Sequence, residues 1–575
     1  MSSSSDRPIS RSSSYENKLT SDEKKSALSS TSEVVPPLGA PVVHEPGLLK
    51  RLRRPALDLD SIATQPSVFD DPTSLELYRP PASYENTHRF DPKARWTWRE
   101  EKRVLRKIDT RILIWVTMMF FCLQLDRANL VQAIADDFLI DLHMTTDDYN
   151  VGNSLFMTCF LIAELPSQMI AKRIGTDVWM PCQMILWSFV SASQFWLKGR
   201  KTFLATRCVI CLIGLLQGGF VPDCVLYLSY YYTTSELPVR FAIFWMSNYL
   251  ADIVGAFLAT GILRLRGVDG HAGWQYLFLI EGLLTFVIGV LSLGMMPAGP
   301  TQTKRWWLPK GWFNEREETI MVNRVLRDDP TKSDMHNRQG LSLRMIWGAL
   351  KDWHLWPLYA IGLVFLIPIG PPAAYLTVIL RDDLGFTTTQ TNLLTLPTMF
   401  LGIIMLVLIS IYSEFINSRT FSTIIMPLWE LPLLIALSGF TLETSPWVYF
   451  TVVTLLVGSP YVHPIQVGWV SRNSQSVRTR TVSASVYNIF AQLGGIISAY
   501  VYRTSDLPLL RRGNHALIGV ASMNIVLYLL TYVFYRTINS HRDKIWNAMS
   551  EAEREEYIRT TKDEGNARLD FRFAY

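Results

Sequence analysis

Asp126 and Arg127 stand side by side in an otherwise apolar run, and Glu164, Arg207, Gln217, Asp252, Asn488 and Gln492 interrupt later ones. A charge at the centre of a hydrocarbon layer costs roughly 2.5–3.5 kcal/mol on insertion scales, so such groups should face a bundle interior or a watery path. Carboxyl groups placed there can take up and release protons, and a guanidinium can hold an anion. Asp126 is a candidate proton carrier, with Arg127 its partner or the anion's counter-charge. The plainer alternative is a local structural ion pair near the outer interface. Glu164 lies two residues before Pro166 and could relay protons or pair with Lys172 or Arg173; a purely structural pairing with those bases weighs equally. Asn488 and Gln492, four apart, share one helix face and either line a cavity or bond a neighbouring helix. Asp252, Glu281, Glu430 and His463 add further polar groups at membrane depth, and Trp245, Tyr375 and Tyr461 could stack on a planar ligand or simply pack.

The elements that must position these groups are long apolar segments. Phe203 to Leu263 contains two runs of more than about 20 residues, the length that crosses a bilayer core, joined by a short polar link. Gly214 and Gly218, four apart, allow another backbone to approach closely. Over 575 residues, 49% are hydrophobic and only 18% charged, and mean hydropathy is +0.15, the balance of a polytopic membrane protein. Twelve spans are expected, at 112–132, 150–171, 178–197, 203–227, 240–263, 274–296, 354–377, 390–412, 419–439, 446–468, 480–501 and 515–536. They form two sets of six, a 100–296 bundle and a 354–537 bundle, around a charged central loop at 297–353. Its EREETIMVNRVL stretch reads as a short amphipathic helix on the membrane surface. Asp126 then lies about 21 Å along the first span, within reach of a central cavity.

The Ser-, Pro- and charge-rich stretch from Met1 to Arg99 reads as a disordered tail, and 538–575 as a second tail. No removable signal peptide is expected from the polar N-terminus. Lys172, Arg173, Arg240, Arg419, Arg472, Arg478 and Arg480 cluster on alternate loops, which places both termini in the cytosol; Lys198, Arg200, Lys201, Arg511 and Arg512 weaken the contrast. The net charge of +5 is spread over membrane loops, so nucleic-acid binding is not expected. All six cysteines lie in or beside apolar runs and read as small hydrophobic filler. The Cys208/Cys211 pair has no second pair and no nearby histidine to make a metal site.

Five local sequences sharpen the picture: LDRANL at 125–130, ELPSQMIAKRIG at 164–175, GLLQGGFVPDCVLYLSYYY at 214–232, ELPVR at 236–240 and GWQYLFLIEG at 273–282. Together, and in this order, they resemble the anion:cation symporter branch of the major facilitator superfamily, and within it the fungal allantoate permease family. The resemblance covers about Arg106 to Arg536. It implies an all-α fold of twelve transmembrane helices in two six-helix bundles, and uptake of a small organic anion such as a carboxylate, vitamin or ureide, generally with protons. Asp126, Arg127 and Asn129 match the family's D-R-x-N pattern. Many relatives carry R-x-x-x-G-x-x-E in the fourth span; here Gln217 stands at the Glu position and Ile210 where the Arg belongs. Arg207 is three residues earlier, ~4.5 Å outward and ~60° around the helix. A glutamine cannot carry a proton, so coupling would rest on Asp126, Glu164 or Asp252, or be absent. Arg207 either contacts substrate or snorkels to the outer surface.

The expected partners are a small organic anion, protons and the lipid bilayer, in a monomer at the plasma membrane with no cofactor and no metal. Efflux of a secondary metabolite is the nearest rival, but the DIVGAFLATGIL stretch of the fifth span lacks the proline of the Gly-Pro-rich runs common in exporters. A transporter-derived nutrient receptor is compatible with the long tails. An enzyme is disfavoured, since the nine histidines never fall at metal-ligand spacing and no phosphate loop or nucleophile elbow occurs.

Overall fold

The computed structural model describes residues 38–39, 58–134, 136, 138–144, 159, 162–164, 166–203, 205–206, 217–334, 347–348, 350–378, 388–416, 418–441, 443–474, 480–503, 506, 509–561, 563 and 565–575. Each of the twelve apolar runs carries helix. Among the described residues six helices are long and apolar enough to cross a membrane by themselves: Trp98–Leu130, Leu237–Leu265, Gly273–Met295, Leu394–Ile416, Arg419–Ser438 and Arg511–Ala548. Others are broken. The seventh span is split into Trp356–Val364 and Gly370–Val378, and the tenth into Pro446–Val457 and His463–Asn473. Each half of the tenth begins with proline among its first two residues, where the missing N–H costs nothing.

Without a hydrophobic drive between helices in lipid, close packing has to come from small residues. The third span (Thr176–Ser193) packs along the sixth, the first (Ile114–Ile134) along the fifth and sixth, the seventh along the eleventh (Arg480–Ser498), and the ninth (Ile425–Ser438) along the twelfth. A Cβ on Gly282 would stand 2.7 Å from the backbone nitrogen of Ala192, and one on Gly494 would stand 2.0 Å from the carbonyl oxygen of Leu363. The two halves meet where the fifth span (Leu237–Ile262) packs along the eighth (Thr388–Ile416) and tenth, and the fourth (Phe220–Ser229) against the eleventh.

Composition misjudged both ends of the chain. Residues 58–99, expected as disordered tail, are folded onto the central-loop helix Glu315–Asp328. Phe69 and Tyr84 pack with Val322 and Leu326 of that helix. The Arg89 Nε donates to Glu318 Oε2 at 2.9 Å, the Asp91 N–H to Asn323 Oδ1 at 2.9 Å, and Arg327 pairs with Asp70. Burial would raise the Asp70 carboxyl, but Arg327 and Arg95 hold it below its ordinary value. A few well-spaced aromatics thus find cover that an average over a Ser-rich stretch hides. The same docking corrects the expected position of the Glu315–Asp328 helix. Its apolar face, with Ile320, Met321 and Val325, is buried under protein instead of resting on lipid. Lys107 Nζ meets Glu317 Oε1 at 2.6 Å, and Arg324 bridges Glu236 at 2.7 Å and the Tyr231 carbonyl at 2.9 Å. At the other end of the chain the twelfth-span helix runs on to Ala548, and the last residues fold back. Phe573 is buried and stacks on both His354 and Tyr535, while the Ala574 carbonyl accepts from Trp469 Nε1 at 2.7 Å and Asn473 Nδ2 at 3.0 Å. Tyr78 donates to Asp570 at 3.0 Å, so the two terminal segments touch.

Gly494→Val should cut the yield of monodisperse protein several-fold, because the added carbons would strike the Leu363 backbone, which cannot give way cheaply. Gly519→Ala, with nothing within 4 Å of its Cβ, should be neutral. Size-exclusion chromatography of fluorescent fusions reads both, and equal yields for the two variants would refute this packing.

Candidate functional site

Adjacent residues on a helix diverge by ~100°, and that rotation separates Asp126 from Arg127. Asp126 turns into the first half. Its Oδ2 accepts from the Trp187 Nε1–H at 3.1 Å and its Oδ1 from the Ser191 hydroxyl at 3.4 Å, both on the third span. Thr285 of the sixth span adjoins it, and buried Glu281 lies within electrostatic reach beside Asn129. The local Asp126–Arg127 pair allowed by the sequence is therefore not formed. Arg127 instead lies within electrostatic reach of Glu164.

Glu164 is fully buried on the second span. It does not pair with Lys172 or Arg173: Arg173 is exposed, and Lys172 donates to the Tyr230 hydroxyl at 3.2 Å and faces Asp223. Its Oε1 accepts from Asn488 Nδ2 at 2.8 Å, across the divide between the halves. Its Oε2 is buried with no hydrogen-bond partner among the described residues. An acid from one half, an amide from the other and a guanidinium within reach thus converge at one place, the set needed to hold a carboxylate and a proton together.

The second span is fixed beneath this point by its own polar face. Gln168 Nε2 donates to the Gly219 carbonyl at 2.8 Å, and the Ser167 hydroxyl accepts from Gln183 at 2.9 Å and Trp179 at 3.1 Å. Gly219 lies so close that a Cβ there would stand 2.3 Å from Ser167 Oγ. Gln217 is buried beside this contact, whereas Arg207 lies outside the described residues, as do Cys208, Cys211 and Gly214. Asn488 and Gln492 share their face of the eleventh span, but only Asn488 reaches Glu164; Gln492 is partly exposed. Asp252 is also partly exposed, on the fifth span one turn after Asn248, whose side-chain oxygen accepts from Gln124. It is not brought to Glu164 by any contact among the described residues.

Sequence reasoning underrated His463. Trp245 of the first half meets it edge to face at 5.1 Å, Phe365 and Tyr487 stack on it at 5.6 Å each, and Tyr461 lies at 5.8 Å. Tyr487 also bonds Gln466, which bonds Tyr528. Trp245 and Tyr461, weighed as stacking platforms for a ligand, are here spent on the imidazole, and Tyr461 also on Tyr249. The signal was an isolated histidine in an apolar run; its aromatic neighbours come from four separate stretches of chain.

The Major Facilitator Superfamily model matches residues 116–499. The chain is 42% identical over 523 residues to the uncharacterized transporter YIL166C of Saccharomyces cerevisiae, covering 90% of this chain and 95% of that protein. It is 24% identical over 462 residues to the major facilitator-type transporter hxnP of Emericella nidulans, covering 77% and 88%. Among solved structures, the proton:xylose symporter XylE bound to 6-bromo-6-deoxy-D-glucose superposes with a TM-score of 0.56 at 13% identity, covering 74% of this chain and 95% of that one.

The contact between the halves is directly testable. In a cysteine-free background, Glu164→Cys with Asn488→Cys should form an intramolecular cross-link under mild oxidation or with a short bismaleimide. Cleavage at a protease site placed within residues 335–346 would reveal it as two fragments that stay joined. Fragments that separate as readily as those of either single variant would remove the contact.

Proposed function

The chain belongs to the major facilitator superfamily, whose members are multi-pass membrane transporters, and on that premise we propose that it takes up a small organic anion together with protons. Transport is by alternating access, the two halves rocking about a central site between them. The observation that carries this reading is the Glu164–Asn488 bond, with Arg127 in reach: a buried acid held jointly by both halves. With Glu164 ionised, Arg127 is held by the carboxylate and the amide of Asn488 is occupied. Protonation of Glu164 weakens its hold on the guanidinium, which then turns to the anion's carboxylate, and cargo and proton travel together. Asp126, enclosed by Trp187 and Ser191, orients the first span within its half and adjoins a second buried acid, Glu281, to which a proton can pass. Gln217, which cannot titrate, makes Glu164 the acid on which coupling rests. The protein works as a monomer in the plasma membrane with both termini in the cytosol, the side on which Lys and Arg gather at the span ends.

The test begins with deletion of the gene and growth of the deletant on single organic acids, vitamins and ureides as sole sources. With the substrate found, labelled uptake should quicken as external pH falls from about 7.5 to about 4.5, the range in which buried carboxyl groups gain protons. Glu164→Gln should reduce concentrative uptake to below about a tenth of wild type while sparing exchange of internal for external substrate. Uptake indifferent to external pH, or full accumulation by the Gln variant, would overturn the proposal.

A further inference from the structure

On the face that carries the 58–99 and 565–575 segments, a cavity of about 340 Å³ opens between the halves. Ser229, Leu237 and Pro238 of the first half line one side, and Gly468, Ser471 and Arg472 of the tenth span the other. Five cationic side chains reach it: Lys332, Arg419, Arg472, Arg480 and Arg572, against two carboxylates, Asp328 and Asp329. The carboxylates are already engaged. Asp329 takes Arg480 at 2.8 Å, Asp328 accepts from the Thr234 N–H at 2.7 Å and its hydroxyl at 2.8 Å, and Lys332 faces both acids while donating to the Tyr232 carbonyl at 3.0 Å. Arg572 is paired outside the cavity with Asp543 at 2.7 Å.

Two guanidinium groups are left. Arg419 is 5% exposed, and its single side-chain bond among the described residues goes to the neutral Ser413 hydroxyl at 2.9 Å. Arg472 makes no side-chain bond among them. Neither guanidinium has a carboxylate within 4 Å among the described residues, although Glu414 lies within longer electrostatic reach of Arg419 and the Tyr575 main-chain oxygen accepts from the Arg419 backbone N–H at 3.1 Å, and each guanidinium is near enough to repel the other. Arg472 is exposed, but Arg419 is shut away from water beside it, and a buried cation facing a second one is unfavourable unless a counter-charge joins them. Arginine forks match the planar or tetrahedral oxygens of carboxylate and phosphate, and the Ser471 hydroxyl in the lining supplies a further donor, while that of Ser474 is given to the Ser471 carbonyl at 2.8 Å.

We propose that this cavity binds a small oxyanion, carrying a phosphate or carboxylate group, between Arg419 and Arg472. Its lining does not include Glu164. Because its walls come from both halves, an anion seated there favours the arrangement in which the halves are closed on this face, and opening releases it.

The test uses purified full-length protein in detergent and its thermal unfolding. Inorganic phosphate and succinate are titrated separately, each against sodium chloride at matched ionic strength. Saturable stabilisation by several degrees is expected with at least one oxyanion and none with chloride. The Arg419→Gln/Arg472→Gln double variant should lose the shift. Arg472→Lys, which keeps the charge, should retain part of it and shows that the fold survives substitution there. Preference for phosphate would identify a phosphorylated metabolite as the natural occupant, and preference for succinate a carboxylate solute on its way through. No saturable response in the wild type, an equal response to chloride, or an undiminished response in the double variant would overturn the proposal.

Discussion

A carboxyl group shut away from both water and lipid needs a donor, and the donor for Glu164 stands on the other half of the molecule. Loss of that partner without replacement would cost ~1–3 kcal/mol, more if the acid is charged. Among the described residues nothing else at the divide has this property. The large contacts between the halves, fifth span on eighth and tenth, are mostly apolar side chains that can slide against lipid-like neighbours at little cost. In the proposed cycle the Glu164–Asn488 bond therefore sets what must be supplied before the halves part: a proton on the acid, a water, or the polar head of a solute.

The surroundings serve that point. Gln168 and Ser167 pin the second span to the third and fourth, and the close approach of Gly219 fixes the depth at which Glu164 emerges. On the far side Asn488 rides on a helix held against the seventh span by the contact of Gly494 with the Leu363 backbone. Both partners are thus mounted on rigid, well-packed supports, and the polar bond between them is where the assembly can yield.

Much of the architecture was legible because lipid enforces it. A stretch of about 20 apolar residues has few alternatives to a spanning helix, so the order of the spans could be read directly. Side-chain pairing was not legible in the same way. Asp126 and Arg127 look like partners in a line of text, yet the helix turns them to different neighbours. The acid goes to Trp187 and Ser191, 61 and 65 residues away, and the base toward Glu164. Asn488 was visible as a polar residue in the eleventh span, but its partner lies 324 residues earlier, and no periodicity reports that distance. Arg419 and Arg472 entered the reading only as markers of orientation, since the lack of a carboxylate within 4 Å of either guanidinium among the described residues is a property of folded space. The terminal segments failed for another reason. Average composition measures whether a stretch can fold alone, whereas 58–99 and 565–575 fold on surfaces that the rest of the chain provides.

Those terminal surfaces are unevenly attached, and the unevenness bears on how the halves can move. The Glu315–Asp328 helix is tied to the first half by the largely buried pairs of Glu317 with Lys107 and Arg324 with Glu236, and it carries the 58–99 segment through Arg89, Asp91 and Arg327. Toward the second half its end offers Asp329 to Arg480, and the segment it carries offers Tyr78 to Asp570. The difference is one of number, since the Asp329–Arg480 pair, with side chains 18% and 12% exposed, is no wetter than the Glu317–Lys107 pair at 8% and 35%, and pairs buried among other bonds are costly to break. In the proposed cycle the central helix and the N-terminal segment therefore ride with the first half as one body, and the C-terminal residues, anchored by Trp469, Asn473 and Asn539, ride with the second. Separation on this face breaks only the few bonds where the two bodies touch, and the cationic cleft containing Arg419 and Arg472 lies along that line of parting.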